Sequence, residues 1–319
     1  MIAKQYTASD FGAKKNCISL LGYSEDEIDH VLTMALSLKH ARDKEERAVS
    51  PLRNKTGVLI FEKPSLRTHI SFETALFELG AHPIVLPSNM IQMGKRETVR
   101  DVAKNLERLV HLIVARTYLH ETIVELAMHS SIPVINALSD KYHPCQALAF
   151  ALTMLEHRGK EKKLNVVFIG DGNNVCHSIM VLCAKRGYHF TAACPSGYEP
   201  DRDVWEACAP IARRNGGSVA VTADPLAALA KADVVYTDVW ASMGQENEAE
   251  ERKKRFAAFQ VNASLLRRAP ADVLVSHCLP AHRGEEITSD VLDSEASVAL
   301  DEAENRLHVQ KAIIVHLFS

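Results

Sequence analysis

Val166-Val-Phe-Ile-Gly-Asp-Gly-Asn-Asn174 opens the stretch that decides the fold, and it continues as VCHSIMVLCAKR to Arg186. Val166–Ile169 is a short apolar run of strand type. Gly170 and Gly172 then break it, and residues 174–186 read as a helix. One strand, one tight turn and one helix make half of a parallel crossover unit. Downstream the grammar repeats. Phe190–Ala193, Ser218–Thr222, Val234–Thr237 and Val273–Ser276 are strand candidates, and helix candidates at 200–214, 224–231 and 246–258 separate them. Upstream it holds as well. Gly57–Phe61, Pro83–Leu86, Leu112–Ala115 and Ile132–Asn136 alternate with helix candidates at 65–79, 98–110 and 120–130. Ser24-Glu25-Asp26-Glu27 has capping-box spacing, and Ile28, Val31, Leu32, Ala35 and Leu36 share one face of the helix it starts.

Strands that are apolar throughout predict parallel sheets covered on both faces. The fold class expected is α/β, with two doubly wound domains, each a mostly parallel sheet flanked by helices. A length of 319 residues, about twice a typical domain, agrees with two. The charged, Gly-containing stretch His157–Lys163 sets the junction near a helix at 145–157. The expected division is 1–142 and 143–303, with a last helix, 304–319, returning to the first domain. Ligands in such sheets bind beyond the carboxyl ends of the strands, which directs attention to the interdomain cleft.

Composition narrows the function classes. Hydrophobic residues at 47% and charged residues at 24% are globular values. A net charge of −3 gives no electrostatic footprint for nucleic acid or an anionic membrane. No apolar run approaches the ~18 residues of a membrane span. The N-terminal MIAKQYTASDFG has neither signal- nor transit-peptide character. The seven cysteines are scattered without a C-x-x-C pair, which predicts a reduced, cytoplasmic protein with no structural zinc.

Four loops at strand ends carry chemistry-bearing residues. Phe61-Glu-Lys-Pro-Ser65-Leu-Arg67-Thr68-His69 runs from a strand into a helix that Ser65 caps. Lys63, Arg67 and His69 crowd the positive end of that helix, where cations are disfavoured by up to ~1 kcal/mol each. Either an anion such as phosphate resolves the conflict, or the turn is solvated and balanced by Glu62 and Glu73. In Asp140-Lys-Tyr-His143-Pro-Cys-Gln146, the spacing of three lets His143 and Gln146 aim at one ligand atom. Together they polarise a carbonyl, or His143 simply caps its own turn.

Gly170-Asp-Gly172-Asn-Asn174 resembles the opening of a dinucleotide fingerprint. Val175 stands where the third glycine belongs, and no acid follows at Ala192-Ala-Cys194-Pro195. A turn that presents the Asn174 amide is the other reading. Finally, Asp238-Val-Trp-Ala-Ser242-Met243-Gly244 and His277-Cys278-Leu279-Pro280 each follow a strand. Asp238 can bind an amine. Cys278 lacks an obvious base, since strand alternation turns His277 to the opposite face.

Taken together, these loops resemble the transcarbamoylases. Ser65-x-Arg67-Thr68 and His143-Pro-x-Gln146 are similar to the two signatures of the whole superfamily. Asp238-x-x-x-Ser242-Met243-Gly244, His277-Cys278-Leu279-Pro280 and Asp301-Glu-Ala-Glu-Asn-Arg306 resemble its ornithine carbamoyltransferase branch. The resemblance implies transfer of a carbamoyl group from carbamoyl phosphate to the δ-amine of L-ornithine, giving citrulline for arginine biosynthesis. It implies that Ser65, Leu66, Arg67 and Thr68 grip the phosphate, with Lys63 on the same side. Arg116, His143, Gln146 and Arg306 would contact the carbamoyl group or bridge it to the phosphate. Asn174, Asp238, Ser242 and Met243 would hold ornithine, with Cys278 and the Leu279 carbonyl near its amine. Gln92 would reach into a neighbouring subunit's site in a homotrimer. No metal, cofactor or covalent intermediate is implied, because carbamoyl phosphate is already activated.

Three positions depart from the family pattern: Leu66 replaces a Thr, His69 an Arg, and Phe150 an Asp. The alternatives are a carbamoyltransferase for putrescine or N-acetylornithine, a non-catalytic carbamoyl-phosphate-binding relative, and a nicotinamide dehydrogenase.

Overall fold

The structure, a computed structural model, describes residues 15–44, 50–87, 90, 93–94, 96–159, 163–241 and 246–319. Two compact units emerge: Met1–Leu152 with Glu304–Ser319, and Thr153–Ala303.

In the first unit, α1 (Glu25–Asp43) leads into β1 (Thr56–Phe61), α2 (Leu66–Glu78), β2 (His82–Pro87), α3 (Val99–Leu109), β3 (Leu112–Arg116), α4 (His120–His129) and β4 (Val134–Leu138). The sheet order is β2-β1-β3-β4, parallel throughout. Local sequence sets the helix starts. Ser24 and Glu27 form a reciprocal capping box, Ser65 Oγ accepts from Thr68 N, and Thr98 Oγ1 accepts from Asp101 N. Alternate strand residues Val58, Ile60, Ile113, Ala115 and Val134 pack with Val102 and Ala103 of α3 and Ile123, Val124 and Ala127 of α4. On the other face, a Cβ at Gly57 would lie 2.8 Å from Leu76 Cδ1 of α2, so that helix covers β1 closely. Burial on both faces is why these strands read as unbroken apolar runs.

The second unit begins within α5 (Pro144–Arg158) and contains β5 (Asn165–Ile169), α6 (Asn174–Arg186), β6 (His189–Ala193), α7 (Arg202–Arg214), β7 (Ser218–Thr222), β8 (Val234–Thr237), α8 (Ala249–Phe256) and β9 (Leu274–His277). Its sheet order is β7-β6-β5-β8-β9, again parallel. Val167, Ile169, Val235 and Val275 share a core with Leu229, Phe259 and Val261. On the opposite face Phe168 stacks on Tyr236 at 5.8 Å. Helix α6 is buried from Asn174 to Lys185, which explains its apolar sequence all round. The helices read at 224–231 and 246–258 prove shorter, Pro225–Ala228 and α8, each flanked by a 3-10 turn.

The last helix, α9 (Ala299–Phe318), begins in the second unit, where the buried Glu302 accepts from Tyr236 Oη at 2.6 Å and Ser276 Oγ at 2.5 Å. It ends in the first unit. The chain therefore passes between units inside α5 and α9. The expected boundary at 142 falls instead at Leu152, because α5 is buried from Pro144 to Met154. His143 and Gln146 accordingly lie in the first unit. Among the described residues, no helix is long and apolar enough to cross a membrane.

Each sheet has one place where strand order reverses, between β1 and β3 and between β5 and β8. The loops leaving those strands diverge to opposite faces and open a crevice suited to ligands.

Candidate functional site

At the first reversal point, Phe61 ending β1 pairs in register with Arg116 ending β3. The chain leaves β1 through Glu62 and Lys63. Lys63 is buried, with Nζ 4.6 Å from the Tyr118 ring centroid. Ser65 then caps α2, which leaves the first N–H groups of that helix directed outward. Thr68 is fully buried, and its Oγ1 accepts from Arg306 Nη2 at 2.7 Å. That bond ties α9 to the start of α2. Arg116, His143, Gln146 and Arg306 are all buried. Arg67 is half-buried, and its Nε is buried without a hydrogen-bond partner among the described residues.

These residues converge electrostatically on His143. Burial, then the charges of Arg306, Arg116 and Arg67, hold its imidazole well below the usual histidine range. The ring is neutral at neutral pH, so it can donate one hydrogen bond without adding charge. Three guanidinium groups bearing on one neutral ring make the surroundings of His143 strongly positive, an environment that can take an anion.

The loop carrying His143 is held by groups that sequence reasoning missed. Asn136 is fully buried, and its Nδ2 donates to the carbonyls of Ile18 at 2.9 Å and Tyr142 at 3.2 Å. His120 N donates to Asp140 Oδ1 at 2.7 Å, and His120 Nδ1 lies 2.9 Å from Ser139 Oγ. Nothing local in the sequence marks either residue. Burial pushes the His120 pKa down to about 4 from an ordinary 6.5. Between those values the unfolded chain binds a proton that the folded chain refuses, so stability falls as pH drops through that window. The contribution is up to roughly 3 kcal/mol. His120→Asn should flatten the loss of stability between pH 6.5 and 4 in denaturant melts. An unchanged slope would contradict this placement of the ring.

Two departures from the family pattern are visible here. Leu66 is 71% exposed, its side chain turned to solvent at the start of α2. His69 does not crowd the helix start as expected. Its Nε2 turns along α2 to Glu73 Oε2 at 3.1 Å, and its ring lies 5.4 Å from Phe61. Phe150, the third, is fully buried in α5.

At the second reversal point, Ile169, Thr237 and His277 pair across β5, β8 and β9, so the following residues leave the sheet side by side. Asp238 is buried and accepts three hydrogen bonds. Oδ1 takes Cys278 Sγ at 2.7 Å and Val239 N at 2.8 Å, while Oδ2 takes Asn173 Nδ2 at 2.8 Å. Asn173, which sequence reasoning passed over in favour of Asn174, also caps α6 by accepting from Val175 N and Cys176 N. An Asn directly before a helical run is the signal that could have found it. Asn174 is itself buried at the first turn.

His277 commits both ring nitrogens to partners other than Cys278. Its Nδ1 accepts from Leu279 N at 2.8 Å, and Nε2 meets Glu286 Oε1 at 3.0 Å, which sets the tautomer with the proton on Nε2. With both nitrogens engaged, it is no base for the thiol. Asp238, His277 and Cys278 place donor atoms within 4.8 Å of one another. Those same atoms already bond each other, Leu279 and Glu286, so a metal would have to break that set. Leu279 has φ +55, a left-handed conformation that costs a non-glycine residue about 1 kcal/mol.

The glycine turn does not fit a dinucleotide. A Cβ at Gly172 would overlap the Pro200 backbone, and Gly172 N donates to Tyr198 O at 2.9 Å. That glycine admits a neighbouring loop where a pyrophosphate would have to approach. Gln92, Ser242 and Met243 lie outside the described residues.

Known proteins resemble this chain over nearly its whole length. Two family models of the aspartate/ornithine carbamoyltransferases match: the carbamoyl-P binding domain over residues 15–156 and the Asp/Orn binding domain over residues 162–317. The chain is 49% identical over 303 residues to the ornithine carbamoyltransferase of Anoxybacillus flavithermus, covering 95% of this chain and 96% of that one. The solved ornithine carbamoyltransferase of Pyrococcus furiosus matches with a TM-score of 0.92 at 47% identity, covering 95% and 96% of the two chains. The anabolic enzyme of Campylobacter jejuni matches with a TM-score of 0.90 at 37% identity, covering 95% and 99%.

Proposed function

This chain belongs to the aspartate/ornithine carbamoyltransferase family, and from that premise we propose that it transfers the carbamoyl group of carbamoyl phosphate to the δ-amine of L-ornithine. The observation that carries the reading is the set of three guanidinium groups bearing on the neutral, buried His143. Such a set suits the dianionic phosphate and the developing oxyanion of one small molecule.

In the mechanism proposed, the first N–H groups of α2, Ser65, Thr68, Arg67 and Arg116 hold the phosphate. His143 and Gln146 direct donors at the carbamoyl oxygen, with Arg306 bridging the two ends. Asn174, Ser242 and Met243 hold the amino-acid end of ornithine, and Asp238 takes its δ-ammonium. That ammonium must release a proton before it can attack, and Asp238, bonded to the Cys278 thiol, is the group placed to accept it. The amine nitrogen then bonds to the carbamoyl carbon and the carbonyl oxygen gathers charge. As the carbonyl re-forms, the bond between that carbon and the bridging oxygen breaks, and the oxygen leaves with phosphate. The nitrogen's second proton leaves with hydrogen phosphate. Positioning and electrostatic stabilisation supply the rate, and the Leu279 carbonyl helps to orient the amine.

The division of labour follows: Met1–Leu152 with Glu304–Ser319 serves carbamoyl phosphate, and Thr153–Ala303 serves ornithine. For assembly we propose a homotrimer in which Gln92 reaches a neighbouring site. Leu66, Ile70 and Phe77, 71%, 56% and 74% exposed along α2, support a covered face there. The reduced thiols, six buried and one half-buried, support a cytoplasmic setting, and the anabolic relatives support a biosynthetic role.

The test is stoichiometry with purified protein. One phosphate should appear per citrulline, and only when ornithine is present. Phosphate release without citrulline, or no turnover, would overturn the reading.

A further inference from the structure

Arg252 of α8 is 5% exposed and touches three loops of the second unit. Its Nη1 donates to Asp171 Oδ2 at 3.0 Å and to Trp240 O at 2.8 Å, and its Nε donates to Glu248 Oε2 at 2.9 Å. The guanidinium carbon lies 4.9 Å from the Tyr198 ring centroid. Asp171 belongs to the loop after β5, Tyr198 to the loop after β6, and Trp240 to the loop after β8.

Two of these contacts close a ring. Asp171 stands two residues before Asn173, and Trp240 two residues after Asp238. The Asn173–Asp238 hydrogen bond joins the two loops at one end, and Arg252 joins them at the other. Phe256, one turn further along α8, packs against both Trp240 at 5.8 Å and Tyr198 at 4.8 Å. The third loop is drawn in by Gly172 N, which donates to Tyr198 O.

We propose that Arg252 is a positioning residue for the amino-acid substrate: it fixes the loop bearing Asp238 to the loop bearing Asn173 and Asn174, and so sets ornithine affinity without touching ornithine. The proposal rests on Asp238 and Asn174 being the ornithine side, as read above. A planar fork with several donors suits this task, and lysine, a single point charge, does not.

The charges around Asp171 supply an independent signature. Burial raises its pKa to about 6 against the pull of Arg252, with Asp238 and Glu248 adding repulsion. The neighbouring thiols Cys176 and Cys194 also face it. Without Arg252 the carboxyl is buried beside two acids with no cation, and it takes up a proton at higher pH. The pH dependence of ornithine KM should then be displaced to higher pH than in the parent protein.

The experiment measures KM for each substrate in the parent protein and in Arg252→Met, Arg252→Lys and Asp171→Asn, with thermal melts alongside. Arg252→Met should raise ornithine KM about 30-fold or more and leave carbamoyl phosphate KM within about twofold. Arg252→Lys should fall between it and the parent. Should Arg252→Met fail to fold, Asp171→Asn, which keeps the shape, should still raise ornithine KM by about threefold to tenfold. Ornithine KM unmoved while the melting temperature drops, or both KM values rising together, would overturn the proposal. A parent protein that makes no citrulline overturns the parent reading as well. A parent that makes it, with variants of unchanged ornithine KM, overturns this proposal alone.

Discussion

Arg67→Ala should lower kcat/KM for carbamoyl phosphate by about a thousandfold or more while leaving ornithine KM nearly unchanged. Arg67 stands one residue before Thr68 in the first turn of α2, where the helix already favours an anion. Its Nε is buried without a partner among the described residues. Its charge also reaches His143, alongside those of Arg116 and Arg306. Truncation removes a charge-assisted fork from a dianion in a low-dielectric site, a loss of about 4 kcal/mol. Arg67→Lys should recover only part of it, because a point charge lacks the fork. Steady-state rates with carbamoyl phosphate varied at saturating ornithine check both. Near-normal kcat/KM in Arg67→Ala would remove the phosphate site from this loop.

Asp238→Asn should reduce kcat/KM for ornithine by about a hundredfold to a thousandfold, with carbamoyl phosphate binding retained. The substitution keeps the volume and removes the charge. It also disturbs the bonding, since both carboxylate oxygens accept: Oδ1 from Cys278 and Val239, Oδ2 from Asn173. An amide there must turn its own NH2 toward one of those donors, so one buried donor pair is left facing. Cys278→Ser preserves a donor to Oδ1 and should cost no more than about tenfold. The contrast separates two chemistries. A loss from Cys278→Ser as large as that from Asp238→Asn would point to the thiol itself as the reacting group.

Most of the architecture was legible because parallel sheets buried on both faces leave an unmistakable trace, apolar runs such as Val166–Ile169 and Val234–Thr237. The helix starts at Ser24, Ser65 and Thr98 were legible for a local reason, each being one side chain bonding an N–H three residues on. The strand-end loops were readable because parallel topology sends their chemistry to one edge. What escaped depends on residues distant in sequence. Arg252 reaches Asp171 across 81 positions, and no pattern in either segment announces the pairing. His120 holds the His143 loop through Ser139 and Asp140, a contact that exists only once β3 and β4 lie side by side. The direction of His69 is not legible locally, since its position in α2 allows either the helix start or Glu73, one turn away, and the ring meets Glu73. The boundary inside α5 was hidden for a similar reason: a helix buried on every side gives no amphipathic clue to which core it serves.

The central claim, that this chain carbamoylates ornithine, is tested most directly by initial rates with carbamoyl phosphate and four amines in parallel: ornithine, putrescine, N-acetylornithine and aspartate. The kcat/KM for ornithine should exceed each of the others by about a hundredfold or more, since the site must satisfy both an ammonium and an amino-acid end. Equal or faster turnover of putrescine, N-acetylornithine or aspartate would contradict it.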